Sequence, residues 1–297
     1  MKSVKIATAQ FSLHPRSSAK EFWSDVTNLL ARIRDDGAEI VVLPEYACLP
    51  LIALRSQADS SHTLGFAEQL NQWAADSALE YQQHWRELAS QFKMVIVGGS
   101  FPIFDGKSVV NRSVTAFPDG RMASQDKIHM TRFETEGWSM APGSRSLVSW
   151  EYSGLKFVTA ICFDVEFPQL SAALAGNPPD VVLVPSCTDS WHGYWRVRHC
   201  AAARAIELQS YCVIATCIGG NPAIPDMESH LGKACILGPC DTPFPHTGEL
   251  ATTKTDKQDY VVVELALNAL QQLRTNGSVL NLKWHSGAPI TIEHLSN

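Results

Sequence analysis

No stretch of about 18 consecutive apolar residues occurs anywhere in the chain, so no membrane-spanning helix is expected. Met1-Lys2-Ser3-Val4-Lys5-Ile6 runs directly into alternating apolar residues rather than into the hydrophobic region of a signal peptide, and the expectation is an unanchored, cytoplasmic protein. A basic run or an Arg/Lys-rich face is also missing. With 24 Lys and Arg against 30 Asp and Glu, the net charge is −6, and the electrostatic case for nucleic acid is absent. The eight cysteines form no CxxC pair and no Cys/His ligand spacing, which argues against a zinc site or a disulfide framework. Most sit inside apolar runs such as Ser210-Tyr211-Cys212-Val213-Ile214, as small buried hydrophobes do. There is no internal repeat, no low-complexity segment and no linker-like shift in composition. What is left is a soluble globular chain of 297 residues, 45% hydrophobic, for which small-molecule chemistry is the natural expectation.

Short apolar runs recur between helical patterns: Val4 to Gln10, Ile40 to Leu43, Met94 to Gly98, Val109 to Phe117, Phe157 to Cys162, Val181 to Val184, Cys212 to Thr216 and Tyr260 to Leu265. Their length and β-branched content predict buried strands. Between the first two, Ser24 to Asp36 sets Val26, Leu29, Leu30 and Ile33 at helical spacing and ends at Asp35-Asp36-Gly37. A second helical stretch, Phe66 to Phe92, precedes the Met94 strand, and a third, Tyr194 to Gln209, precedes the Cys212 strand. Such alternation predicts one α/β domain over residues 1–275, with the Asn276-Gly277 turn opening a C-terminal extension over 276–297.

Three segments carry candidate chemistry. Val41-Val42-Leu43-Pro44-Glu45-Tyr46 puts a carboxylate at the end of an apolar strand, where α/β proteins place their sites. Gln125-Asp126-Lys127-Ile128-His129 follows the Phe117-Pro118-Asp119-Gly120 turn and falls late in, or just after, a returning strand. Thr159-Ala160-Ile161-Cys162-Phe163-Asp164-Val165-Glu166-Phe167-Pro168 ends an apolar strand on a cysteine and turns at once into a helix-initiating sequence. A thiol on such an elbow meets free backbone N–H groups, which favour a thiolate and can hold an oxyanion. Taken singly, a loop glutamate or lysine is usually a solvated charge and a cysteine is usually buried packing.

In this order, Glu45, Lys127 and Cys162 resemble the Glu-Lys-Cys signature of the nitrilase superfamily of carbon–nitrogen hydrolases. The likeness extends through the LPE, DKxH and CxDxxFP segments to Val184-Pro185-Ser186, Ala203-Arg204-Ala205-Ile206-Glu207 and Gly219-Gly220-Asn221. It implies a four-layer α-β-β-α sandwich, commonly paired into a homodimer, with no metal or organic cofactor. The implied roles are Cys162 as nucleophile, Glu45 as general base and Lys127 as cationic partner. Many members carry a second glutamate between the lysine and the cysteine; Glu136, in Glu136-Gly137-Trp138, fits the amidase form of this loop better than Glu134. The segment from Lys127 to Glu134 matches none of the common nitrilase, carbamoylputrescine or ω-amidase patterns, so no substrate is carried over.

The expected activity is hydrolysis of a small amide or carbamoyl compound through a thioester, with a nitrile substrate as the alternative. A catalytically silent sensor of the same fold is the reading from another class, set against three filled catalytic positions. The backbone N–H of Phe163 would join Lys127 around the oxyanion. Tyr46, Trp138, Cys187-Thr188-Asp189 and Trp191 are the expected pocket walls. A Cys-His pairing through His129, His192 or His199 is the competing local chemistry, and a redox role lacks a resolving cysteine nearby in sequence. The homodimer is expected through the helices after Cys162 and Pro185, with Leu170, Ala172, Ala173 and Leu174 as local support, although a core-facing stripe explains these residues as well.

Overall fold

The computed structural model describes residues 3–58, 65–224 and 229–285. Of the C-terminal extension expected from 276 onward, 286–297 lie outside the described residues. In chain order the elements are β1 (Ser3–Ser12), α1 (Ala19–Asp35), β2 (Ile40–Val42), α2 (Leu49–Ala58), α3 (Phe66–Asp76), α4 (Ala78–Phe92), β3 (Val95–Phe104), β4 (Val109–Ala116) and β5 (Met122–Asp126). Then follow β6 (Ser149–Tyr152), β7 (Leu155–Thr159), α5 (Gln169–Leu174), β8 (Val181–Ser186), α6 (Trp191–Glu207) and β9 (Tyr211–Ile218). The last are β10 (Cys235–Leu237), β11 (Glu249–Thr252), β12 (Asp259–Ala266), α7 (Leu267–Asn276) and α8 (Asn281–Trp284).

The central strands read as unbroken apolar runs because both of their faces are buried, whereas β12, expected from Tyr260 to Leu265 to be buried as well, is only half-buried over Tyr260–Val263 and exposes Glu264. On β1, Val4 and Ile6 join one core while Ala7, Ala9 and Phe11 join another. The first core lies between two halves of the sheet: Val4, Ile6, Ile40, Val42, Val95 and Val97 meet Phe157, Val181, Leu183 and Val213. On the outer face of one half, Ala7, Val41 and Ile96 pack under α1, α3 and α4. On the outer face of the other, Val158, Val182 and Ile214 pack under α5 and α6. The result is the four-layer α-β-β-α sandwich that the resemblance implied.

Strand direction places the site. The sheet runs β5-β4-β3-β2-β1-β9-β8-β7-β6. β2, β3, β9, β8 and β7 are all parallel to β1, through direct or successive pairings. β4 and β5 reverse direction twice, so β5 ends at the same edge as β2. The chain therefore leaves β2, β5, β7 and β8 at one end of the sandwich, where an α/β fold gathers its functional groups.

Three details differ from the sequence expectation. α1 starts earlier, at Ala19, where the Ser18 hydroxyl caps it by accepting the Glu21 N–H at 3.2 Å. The stretch from Phe66 to Phe92 is two helices that part at Ser77, whose hydroxyl the Arg55 guanidinium holds at 2.9 Å. The expected strand through Cys162 stops at Thr159, and Cys162–Glu166 is a tight helical turn. On α5, Leu170 and Leu174 turn into the core while Ala172 and Ala173 are exposed. Among the described residues, no helix is long and apolar enough to cross a membrane.

Candidate active site

Each candidate side chain is aimed by a feature of its own strand end. Beyond β2, Pro44 carries the chain against β3, where the register shifts between Val97 and Ser100. Gly99, at φ +72°, makes the approach possible: a Cβ there would lie 1.9 Å from the Pro44 carbonyl oxygen. Tyr46 N–H then donates to Ser100 O at 2.8 Å, fixing Glu45 between them. Lys127 follows β5, its N–H held by Asn111 O at 2.8 Å and its carbonyl by Gly143 N–H at 2.8 Å. Cys162 sits at φ +46°, a left-handed conformation that costs a non-glycine residue on the order of 1 kcal/mol and is common where a side chain must be presented at a sharp elbow.

These segments converge. Lys127 Nζ is 2.8 Å from Glu45 Oε1 and 2.7 Å from Glu134 Oε2. Asn111 Nδ2 donates to Glu45 Oε1 at 2.9 Å and to Glu134 Oε1 at 3.0 Å. The Cys187 N–H donates to Glu45 Oε2 at 3.0 Å, and the Cys162 thiol lies 4.0 Å from the carbonyl oxygen of the same Cys187. Glu134 is satisfied further by the Tyr46 hydroxyl at 2.6 Å and by the Thr131 N–H and hydroxyl, each at 2.9 Å. Lys127, Glu45 and Glu134 are all buried, the lysine at 1% exposure, so its charge is balanced within the protein.

The two carboxylates differ in environment. Burial, with the neighbouring Glu134 adding to it, pushes Glu45 above the usual carboxylate range despite the opposing pull of Lys127. For Glu134, burial acts upward too, but Lys127 and the hydrogen bonds from Lys127, Tyr46 and Thr131 outweigh it and hold this carboxyl low. Burial opposes the charge on Lys127, yet Glu134 and Glu45 together push it well above the ordinary lysine value. Burial and the Glu45 charge push the Cys162 thiol up, with Lys127 acting the other way. The surroundings thus push the two carboxyls in opposite directions, Glu134 toward its ionised form and Glu45 toward its protonated one, the separation that acid–base sites use.

Glu136 requires a correction. It is exposed, 63% for its side chain, and pairs with Arg132 at 2.6 Å, whereas Glu134 occupies the place beside Lys127. Phe133–Gly137 is one wide turn closed by Trp138 N–H to Phe133 O at 3.3 Å, so residues two apart face opposite ways. Glu134→Gln is therefore expected to lower turnover by about 10- to 100-fold, because it strips Lys127 of its permanent counter-charge. Glu136→Ala, which breaks only an exposed ion pair, should stay within about twofold in the same steady-state assay.

A cleft of about 440 Å³ opens at Cys162, walled by Phe163, Cys187, Thr188, Asp189, Phe133, Val197 and His230. Phe163 and Cys187 are where the sequence put them. Tyr46 and Trp138 are not walls: both are buried behind the charged cluster, their rings edge to face at 5.1 Å. Trp191 opens instead onto a neighbouring cavity of about 460 Å³ that shares His230 with the cleft. None of the three expected histidines reaches the thiol as a partner. His129 is bonded to Asp164 at 3.0 Å and stacked on Phe167, His199 stacks on Trp195, and His192 is exposed. Sequence reasoning missed Asn111 and His230, which lie in unremarkable local surroundings. All eight cysteines are free, and among the described residues no group of three or more His, Cys, Asp or Glu could hold a metal ion.

Residues 5–275 match the family model described as carbon-nitrogen hydrolase. A probable hydrolase of Bacillus subtilis, YhcX, is 28% identical over 280 residues, which is 94% of this chain but 53% of that protein, so the chain spans about half its length. An omega-amidase of Homo sapiens is 24% identical over 298 residues, 95% of this chain and 96% of the relative. Among solved structures, Saccharomyces cerevisiae Nit3, a member of the nitrilase superfamily, aligns with a TM-score of 0.73 at 20% identity, over 92% of this chain and 93% of that one. An amidase from Nesterenkonia sp. aligns at 0.69 and 21%, over 91% and 94%. At such identities the structural likeness is one of fold.

Proposed function

We propose that this chain, which belongs to the carbon–nitrogen hydrolase family, cleaves the C–N bond of a small amide or carbamoyl compound through a thioester on Cys162. The observation that carries this reading is a cleft that reaches the Cys162 thiol, with the buried Lys127–Glu45 ion pair beside it and Cys187 touching both the thiol and the Glu45 carboxylate. A glutamate-to-glutamine mutant of the Nesterenkonia amidase, a protein of the same fold, is known with the acetamide moiety of fluoroacetamide added covalently at its active-site cysteine.

In this mechanism Glu45 Oε2 takes the thiol proton. Oε1 already accepts from Lys127 and Asn111, while Oε2 faces the Cys187 side of the cleft, where the sulfur lies. The thiolate attacks the carbonyl carbon, and charge develops on its oxygen. An ammonium has three N–H groups, of which Glu45 and Glu134 take two; the third can reach the oxyanion. The Phe163 N–H, at the start of the turn after Cys162, is the second donor. Glu45 returns its proton to the leaving ammonia or amine, then activates water against the thioester. Glu134 keeps Lys127 charged and in place throughout. Phe133, Phe163 and Val197 give the cleft apolar walls for an acyl group, with Asp189 and His230 at its polar edge.

The test is ammonia release across a panel of small amides, N-carbamoyl compounds and nitriles. Release from at least one amide or carbamoyl compound is expected, with carbon dioxide in addition if the carbamoyl branch is correct. Release from nitriles alone would replace this reading with the nitrile one.

A further inference from the structure

Asn111 lies on β4 with no solvent exposure. Its backbone carbonyl holds the Lys127 N–H, and its side-chain nitrogen sits between the two carboxylates, 2.9 Å from Glu45 Oε1 and 3.0 Å from Glu134 Oε1. A primary amide has two N–H groups, so each carboxylate receives one. The orientation is forced, because a flipped amide would turn its carbonyl oxygen toward two other acceptors. The cost falls on the opposite atom: Asn111 Oδ1 is buried without a hydrogen-bond partner among the described residues. Cores avoid orphaned acceptors of this kind, and a leucine would fill similar volume without one. Packing alone therefore does not account for asparagine here.

We propose that Asn111 is a positioning residue that reserves Glu45 Oε2 for the thiol proton and keeps Glu45 and Glu134 in separate roles. This rests on the reading of Cys162 as nucleophile. With Lys127 and Asn111 both donating to Oε1, that oxygen has no lone pair well placed for a proton, and the Cys187 N–H on Oε2 stops the carboxylate from rotating. The second Asn111 N–H joins Lys127, Tyr46 and Thr131 in holding Glu134 as the anion. The titratable groups facing this cluster are Lys127 after β5, Glu134 from the turn after it, Tyr46 after β2, Cys162 after β7, Cys187 after β8, and Cys217 on β9, whose thiol donates to the Glu45 backbone carbonyl at 3.2 Å, with Cys48 beyond Tyr46 and Asp164 beyond Lys127.

The sign of the effect follows. Taking two N–H donors from two carboxylates disfavours their ionised forms, so the pair formed by Glu45 and Cys162 gains its proton at a higher pH. The experiment follows alkylation of Cys162 by iodoacetamide against pH, resolved by site with mass spectrometry, and needs no substrate. In Asn111→Leu the acid limb of Cys162 alkylation should move up by about one pH unit. Asn111→Asp, which keeps the shape and decides the matter if the leucine variant does not fold, should move it up at least as far, since it sets a third carboxyl beside the other two. A limb at the wild-type position in the folded variants overturns the role of Asn111 and leaves Cys162 as nucleophile. Wild-type protein in which Cys162 is no more reactive than the other cysteines overturns the nucleophile reading, and the Asn111 role with it.

Discussion

Cys162→Ala should reduce turnover by a factor of about 10⁴ or more, whichever compound of the panel proves to be the substrate. The substitution removes the sulfur that forms the thioester in this mechanism and leaves the walls of the cleft in place. Stability should change little, because alanine and cysteine pay a similar penalty at the left-handed backbone of residue 162. Cys162→Ser should be nearly as inactive as the alanine variant, since Glu45 is far too weak a base to ionise a hydroxyl. Inactivation by iodoacetamide should follow modification of Cys162. Cys187 lines the same cleft and Cys240 is exposed, so both serve as internal controls for access. Near-normal turnover by either the alanine or the serine variant would show that the nucleophile lies elsewhere.

Glu45→Gln has the second largest expected effect, a fall of about 10³-fold or more in both formation and breakdown of the acyl-enzyme. The amide keeps the shape and can still pair with its neighbours, but it cannot accept a proton. In the wild-type protein, activity should be lost as pH falls through the pKa of Glu45, which burial has raised. The acid limb of kcat/KM should therefore lie above the ordinary carboxylate range of about 4. The glutamine variant should lose that limb. Its residual activity should instead climb with pH into the alkaline range, following direct ionisation of a thiol whose own pKa burial and its surroundings have pushed well up. Single-turnover reaction with an activated ester, with the thioester followed by mass spectrometry, separates the two halves of the cycle. A Glu45→Gln protein that forms and hydrolyses the thioester at wild-type rates would mean that the proton is handled elsewhere, with Glu134 the nearest alternative carboxylate.

Much of this protein is legible from local pattern. Runs such as Val181 to Val184 and Cys212 to Thr216 announce strands buried on both faces, because only a strand sealed from water on both sides can be apolar at every position. Glu45, Lys127 and Cys162 could be picked out because each closely follows a strand, and the parallel strands β2 and β7, with β5 returned by two antiparallel reversals, all end at the same edge of the sheet. The family resemblance turned three separate positions into one site.

The tertiary structure decided the rest, and did so through direction rather than residue type. Glu134 and Glu136 are two residues apart in the same loop, and nothing in their chemistry says which faces inward; the wide turn of Phe133–Gly137 points one at Lys127 and the other at solvent. Tyr46 and Trp138 lie close in sequence to Glu45 and Glu134, yet the left-handed backbone of Tyr46 turns its ring behind the charged cluster, where its hydroxyl donates to Glu134 instead of lining the cleft. Asn111 and Cys187 are ordinary residues in their own segments. Asn111 gains its meaning from Glu45, 66 positions away in sequence, and Cys187 from a backbone N–H aimed at the same carboxylate across 142. A sequence records which groups are present and where each strand must stop; which groups touch depends on how strand ends from opposite halves of the sandwich meet, and that is set by packing over the whole fold.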